Sequence, residues 1–123
     1  MSKKKTDAPK SEAQTEPKAK PSVPDDIAGV IHRAAKKYGV PEWVLRALYL
    51  SVSKRPPAQN NVTGLRERGK YPAFVSRTMA IDRAAVAVRQ LCTDFSDAKA
   101  VARALAQRFP KATHDDYTQQ QEK

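Results

Sequence analysis

The 123-residue sequence predicts a small all-α domain with four helices and one long central loop. Apolar residues recur every three to four positions in four separate stretches, which is the period of an α-helix. Capping or helix-stopping residues separate these stretches, and no stretch shows the strict apolar–polar alternation of a half-buried strand. The length of the chain is that of one domain.

The first helix is predicted to begin at Asp25 and to end at Gly39. An aspartate accepts the unpaired backbone N–H groups of a first turn, and a glycine adopts the left-handed conformation that ends a helix. The second helix is predicted over residues 41–53, since proline suits a first turn. It is apolar on most sides, so we expect it to be central and mostly buried. The inward stripe of the first helix is Ile27, Val30, Ile31, Ala34, Ala35 and Tyr38.

Residues 54–72 contain three prolines and two glycines and have no helical period. Connections of this length without structure are uncommon and often functional, and a short hairpin would fit within this one. The third helix is predicted over residues 76–92 and the fourth over 97–108, with Ser96 as its cap. The residues expected to face the core from these two helices are Met79, Ile81, Ala84, Ala85, Val88, Leu91, Val101, Ala104 and Leu105.

The domain boundaries follow from composition. Residues 1–24 hold six lysines and four prolines, so they bury too little apolar area to fold and are predicted to be a disordered tail. This tail is either a solubilising leader or an electrostatic tether. Residues 25–112 form the predicted domain, and residues 113–123 are a predicted polar tail with Tyr117 as a candidate anchor.

The net charge of +10 implies a polyanionic partner: nucleic acid, anionic lipid or an anionic cell-wall polymer. One cysteine, Cys92, excludes an internal disulfide and a cysteine-based zinc site, and we expect it to be a small buried hydrophobe. The two histidines, His32 and His114, lack ligand spacing, so no metal is predicted. Neither a phosphate loop nor a dinucleotide fingerprint is present, so no cofactor is predicted. No apolar run is long enough to span a bilayer, and no Sec signal peptide is predicted.

A basic cluster surrounds the central loop, with Glu67 as the one acid among the cations and with Tyr71 and Phe74 beside them. Cations interleaved with aromatic residues suit phosphate contact and base stacking, although a solvated loop has the same composition. The candidate polyanion-binding residues are Lys54, Arg55, Arg66, Arg68, Lys70 and Arg77.

A helix-turn-helix is a second way for this chain to bind nucleic acid. Ala35, Gly39 and Leu45 stand at the spacing that such a unit requires. Its second helix must present polar side chains to base edges, however, and residues 41–47 offer one arginine and one acid beside tryptophan and valine. Non-specific binding is therefore the stronger form of the nucleic-acid hypothesis.

The segment Tyr38-Gly39-Val40-Pro41, followed by Ala47-Leu48 in an apolar helix, resembles the opening of the lysozyme-like superfamily, in particular soluble lytic transglycosylases and related glucosaminidases. The segments Asn60-Asn61-Val62-Thr63-Gly64 and Tyr71-Pro72-Ala73-Phe74 also resemble this group, so the resemblance covers about residues 27–92. It implies a lysozyme-like fold, a central helix that ends in a catalytic Glu followed by Ser, and a sugar groove lined by the Asn/Gly loop.

The sequence departs from this group at the catalytic position, because the resemblance puts Val52 where the Glu is expected and Ser53 where the Ser is expected. Glycosidic cleavage needs a carboxylic acid to protonate the leaving oxygen, and valine has no proton to donate. Glu42 lies about 15 Å away along the same helix. Asp82 is expected in a surface ion pair, so Glu67 is the remaining, weak catalytic candidate.

The resemblance therefore implies a non-catalytic or degenerate peptidoglycan-hydrolase-like domain, in a phage virion or in the bacterial cytoplasm or envelope, that binds peptidoglycan or another polyanion. Turn chemistry and core packing are the alternative explanations for the candidate glycan-binding residues. A third hypothesis, a module that assembles with a partner protein, predicts an exposed apolar patch that includes Trp43 and Tyr49. The candidate glycan-binding residues are Asn60, Asn61, Tyr71 and Phe74.

Overall fold

The all-α prediction is confirmed by a computed structural model, which describes residues 23–121. The predicted tail, apart from its last two residues, and residues 122 and 123 lie outside the described part. In that part the chain forms five helices, one more than predicted, and its β structure is a single bridge between Glu67 and Lys70. The helices are α1 (Asp25–Tyr38), α2 (Glu42–Ser51), α3 (Arg77–Leu91), α4 (Ala98–Leu105) and α5 (His114–Gln121).

Helix α1 has the predicted bounds. Its capping position is Pro24 rather than an aspartate, and Asp25 and Asp26 instead place negative charge in the first turn, where the helix dipole favours it. Gly39 ends the helix at a φ of 71°, in the left-handed region, and its N–H donates to the Ala35 carbonyl. This turn directs the chain into α2.

Helix α2 is the central helix of the domain, as predicted. Val44, Leu45, Ala47 and Leu48 are fully buried, because α1, α3 and α5 all pack against α2. The helix ends at Ser51, two residues before its predicted end, and Val52 follows in its capping position.

Two predictions for α3 and α4 are wrong in detail. Met79 and Leu91 are exposed instead of facing the core, because the buried stripe of α3 is rotated away from them. Asp97, not Ser96, caps α4 by accepting a hydrogen bond from the Lys99 N–H. Ser96 is bound to the Asp94 carboxylate instead. The buried stripe of α3 is Ala80, Ile81, Ala84, Ala85, Ala87 and Val88.

The segment expected as a polar tail contains helix α5, which packs against α2 and α4. Thr113 and Asp116 cap its first turn reciprocally: the Asp116 carboxylate accepts from the Thr113 N–H at 2.8 Å, and the Thr113 hydroxyl accepts from the Asp116 N–H at 3.3 Å. Tyr117 and Gln120 are buried and anchor the helix to the core. Over residues 23–121, no helix has the length and apolar character needed to cross a bilayer.

Candidate functional site: a cleft and a basic strip

Val52, at the end of α2, is a buried side chain that packs against the central loop. A Cβ atom added to Gly64 would stand 3.0 Å from Val52 Cγ1, which is tighter than ordinary van der Waals contact. Gly64 has a φ of 75°, which favours glycine. The position at which the resemblance expects a catalytic acid therefore holds an aliphatic side chain enclosed by the loop.

An open cleft of about 380 Å³ borders this position. Both serines in its wall donate back to the final turn of α2: the Ser51 hydroxyl to the Leu48 carbonyl at 2.7 Å, and the Ser53 hydroxyl to the Leu50 carbonyl at 3.2 Å. Their oxygen atoms keep acceptor capacity for a ligand. The lining residues are Leu50, Ser51, Val52, Ser53, Lys54, Arg55, Lys111, Asp116, Gln119 and Gln120.

Asp116 is the one carboxylate among the residues that line this cleft, and the sequence analysis missed it. It reaches the end of α2 because α5 folds back against that helix. Its Oδ2 accepts from the N–H and from the hydroxyl of Thr113, so the group is already engaged as a helix cap. The pattern Thr113-x-x-Asp116, a capping box, is the sequence signal that could have revealed the helix and the capping role of Asp116.

Three cations border the cleft: Lys54, Arg55 and Lys111. Two of them were predicted as polyanion-binding residues, and Lys111 was not. Within residues 23–121 none of the three forms an ion pair. Lys111 also lies over the ring of Tyr71, with Nζ 5.5 Å from the ring centre, and so connects the cleft to the central loop.

Asn61 holds the central loop together from inside. Its side chain is fully buried, and its amide donates to the carbonyls of Leu65 and Pro72, each at 3.0 Å. Its Oδ1 accepts from the N–H groups of Gly64 and Leu65. These four hydrogen bonds use the full capacity of the amide, so Asn61 is not available to a sugar.

The other three candidate glycan-binding residues do not line the cleft beside Val52. The Asn60 amide donates to the carbonyls of Phe74 and Val75, and the residue adopts a φ of 59°, so turn chemistry explains it. Phe74 packs against the core. Tyr71 is half-buried and faces a different cleft, next to Arg68 and Lys70.

Glu67, the weak catalytic candidate, is a junction of ion pairs. One of its carboxylate oxygens lies 2.8 Å from Arg83 Nη2 and 3.3 Å from Arg108 Nη2. It does not line the cleft at the end of α2. This carboxylate therefore connects the loop to α3 and to the segment after α4, which is a structural role.

A tight turn projects from the loop at Arg68 and Gly69. The Glu67 N–H donates to the Lys70 carbonyl at 2.7 Å, and the Lys70 N–H donates to the Glu67 carbonyl at 3.0 Å. Arg68 has a φ of 54° and Gly69 a φ of 77°, so both central residues are in the left-handed region, as in a type I′ turn. The short hairpin that the loop can accommodate is this turn.

The cations of the turn and of the segment after α4 form a continuous surface, here called the basic strip. Arg66, Arg68 and Arg108 line one shallow cleft, and Arg68 and Lys70 line the next one together with Tyr71. Lys111 continues the surface beyond Tyr71. The predicted Arg77 is not one of the residues lining either cleft and is paired with Asp26 of α1 at 3.9 Å. The basic strip consists of Arg66, Arg68, Lys70, Arg108 and Lys111.

The structure also shows where the histidine, the cysteine and the exposed-patch candidates of the sequence analysis lie. His32 is exposed and bonded to Glu42 at 2.7 Å, and the Cys92 thiol is buried and donates to the Asp94 carbonyl. Residues 23–121 contain no group of three potential metal-ligating His, Cys, Asp or Glu side chains.

Trp43 and Tyr49 are half-buried and pack against the core, so the apolar patch expected of an assembly module is not formed by them.

Comparison with known proteins leaves the family open: no family model matches the chain, and no curated protein or solved structure is detectably similar to it. The geometry of the cleft and of the basic strip is therefore the basis for assigning a function.

Proposed function

We propose that this chain is a non-catalytic, lysozyme-like binding protein of the peptidoglycan-hydrolase group, which acts in a phage virion or at the cell envelope. The observation that carries the proposal is the cleft at the end of α2, where Val52 stands in the wall at the expected catalytic position. The polar side chains of its lining support glycan binding, and Val52 supplies no acid.

The absence of hydrolysis follows from the carboxylates near the cleft. A general acid must approach the glycosidic oxygen with a transferable proton. Val52 has none, Asp116 is bonded to Thr113 as a cap, and Glu67 is held by Arg83 and Arg108 outside the cleft. The usual retaining and inverting mechanisms also use a second carboxylate, and Asp116 is the one carboxylate that lines this cleft.

Binding follows from the rest of the lining. Ser53 and Gln119 offer a hydroxyl and an amide, which exchange hydrogen bonds with sugar hydroxyls. Lys54, Arg55 and Lys111 suit the carboxylates that the peptide stems of peptidoglycan carry. A neutral glycan flanked by anionic groups is the ligand that this combination fits.

The test is co-sedimentation of the full chain with purified peptidoglycan sacculi at about 0.05 M and about 0.5 M NaCl, with soluble fragments measured in the supernatant. We expect retention at both salt concentrations and no released fragments. The double variant Lys54→Gln/Lys111→Gln should weaken retention at low salt, where these charges are least screened, whereas Lys36→Gln, which removes an exposed cation of α1, should not. Released fragments would contradict the non-catalytic assignment.

Non-specific nucleic-acid binding is the second candidate function. The basic strip favours it, because four of its five cations form no ion pair within residues 23–121. The helix-turn-helix form of this hypothesis is less favoured, because four of the ten residues of α2 are buried and the other six are half-buried, which leaves the helix little free surface for a groove. Retention on sacculi that disappears steeply with salt would favour this second candidate.

A further inference from the structure

We propose that the turn at Arg68 and the adjoining Tyr71 form a binding site for single-stranded nucleic acid. The phosphates would lie along Arg66, Arg68 and Lys70, and a base would stack on the Tyr71 ring. This inference rests on the second candidate function, nucleic-acid binding, and is independent of glycan binding at the end of α2.

The strained position of Arg68 is the first argument. Both central positions of a type I′ turn require a positive φ, and asparagine, aspartate and glycine are the residues that suit it. An arginine with a φ of 54° costs stability at the first of these positions. Its side chain is exposed at the tip of the turn, where the guanidinium is accessible to a phosphate.

The second argument is that the turn is held rigidly. The Arg66 N–H donates to the Arg108 carbonyl at 2.7 Å, and Arg108 Nε donates to the Arg66 carbonyl at 2.9 Å. Glu67, which lines the same cleft as Arg68 and Lys70, is fixed by ion pairs with Arg83 and Arg108. Arg66, Arg68 and Lys70 are thus exposed cations on a fixed backbone, which lowers the entropic cost of binding.

The aromatic ring of Tyr71 favours single-stranded nucleic acid over other polyanions. Tyr71 lines the same cleft as Arg68, Lys70 and Glu67. Lys111 Nζ lies over its ring at 5.5 Å from the ring centre, so a base would stack on the face opposite Lys111. Base–aromatic stacking is available to unpaired bases, whereas a duplex keeps its bases stacked on one another. A cell-wall polyphosphate has no base and gains nothing from the ring.

The experiment measures fluorescence anisotropy of a labelled oligothymidylate, a DNA duplex and inorganic polyphosphate with the full chain. Arg68→Asn should raise the melting temperature, since asparagine suits the turn, and should weaken oligothymidylate binding by about fivefold. Tyr71→Leu should weaken oligothymidylate binding by about tenfold and leave polyphosphate binding unchanged. The control Lys36→Asn removes the same charge from α1, which supplies no residue of the strip, and should change binding by less than about twofold.

The outcomes separate this site from the function on which it rests. If the chain bound no oligonucleotide, both the second candidate function and this site would be overturned. Oligothymidylate binding that both Arg68→Asn and Tyr71→Leu leave intact would keep the second candidate function and overturn this site. Equal loss of polyphosphate and oligothymidylate binding in Tyr71→Leu would overturn the stacking role, and tighter binding of the duplex would overturn the preference for a single strand.

Discussion

Val52 and Gly64 are packed so closely that a Cβ atom on Gly64 would stand 3.0 Å from Val52 Cγ1, tighter than ordinary van der Waals contact. The contact joins the end of α2 to the central loop and encloses Val52 at the position where the resemblance expects a catalytic acid. That position is therefore occupied by an aliphatic side chain that packs against the loop.

We expect Gly64→Ala to destabilise the fold by about 1–3 kcal/mol, because it adds a steric conflict to an unfavourable positive φ. Val52→Ala removes the conflicting Cγ1 and should reduce this cost in the double variant. Urea unfolding of the natural chain, the two single variants and the double variant measures the coupling free energy between the two positions. Strictly additive costs would show that the two residues do not touch.

Asn61→Ala should destabilise the protein by about 3 kcal/mol or more, because it leaves two buried carbonyls and two buried N–H groups without their partner. Asn60→Gly is the matched control: it tolerates the positive φ and removes two bonds at a half-buried site, so its cost should be smaller. Chemical unfolding measures the free energy of unfolding of both variants. If Asn61→Ala proved as mild as Asn60→Gly, Asn61 would not be the residue that organises the loop.

Glu67→Gln should weaken the fold by less than about 1 kcal/mol, since its two arginine partners are partly exposed. It should at the same time increase the affinity for a polyanion, because Arg83 and Arg108 lose their counter-charge. Anisotropy with an oligonucleotide at low salt measures the gain, and Asp82→Asn controls for the loss of one negative charge elsewhere. Weaker binding in Glu67→Gln would mean that the ion pairs are needed to shape the strip.

Tyr117 has a buried hydroxyl that lacks a hydrogen-bond partner, and burial raises the pKa of this group above its usual range. Tyr117→Phe should therefore stabilise the protein by about 1 kcal/mol at neutral pH, and Tyr49→Phe, at a half-buried position, should have little effect. Thermal unfolding measures both.

The raised pKa also sets the direction of a pH effect. The neutral phenol is the form that the fold accepts, so ionisation of Tyr117 costs the protein no stability below the unfolded pKa of 10.0, and the protein loses stability as the pH rises above that value. The advantage of Tyr117→Phe over the natural chain should grow from about pH 9 to about pH 11. A constant difference over this range would show that Tyr117 ionises as easily in the folded protein as in the unfolded chain.

Local sequence chemistry was sufficient for the first half of the fold. Gly39 ends α1 through its own left-handed conformation, and the apolar sides of α2 require burial whatever the partner. Helix α5 was missed because its sequence is polar, and its stability comes from the packing of Tyr117 and Gln120 against other elements. The phase of the buried stripe on α3, which leaves Met79 outside, is likewise set by packing.

The site was less accessible to sequence reasoning. Lys111 and Asp116 reach the end of α2 only because the chain folds back after α4, and no local pattern indicates that approach. The role of Asn61 depends on a bond to Pro72, eleven residues away. The clustering of the cations at residues 66, 68 and 70 is visible in the sequence, and these residues do line neighbouring clefts, whereas Arg77 was included by proximity in the chain and pairs with Asp26 instead.

The most direct test of the central claim is a titration of the ¹⁵N-labelled full chain with soluble, uncross-linked glycan strands, followed by NMR of the protein amides and of the sugar. The account predicts shift changes at Ser53, Lys111 and Gln119, around the cleft at the end of α2, and no new sugar end groups after prolonged incubation. Newly formed sugar ends, or shift changes confined to the turn at Arg68, would contradict it.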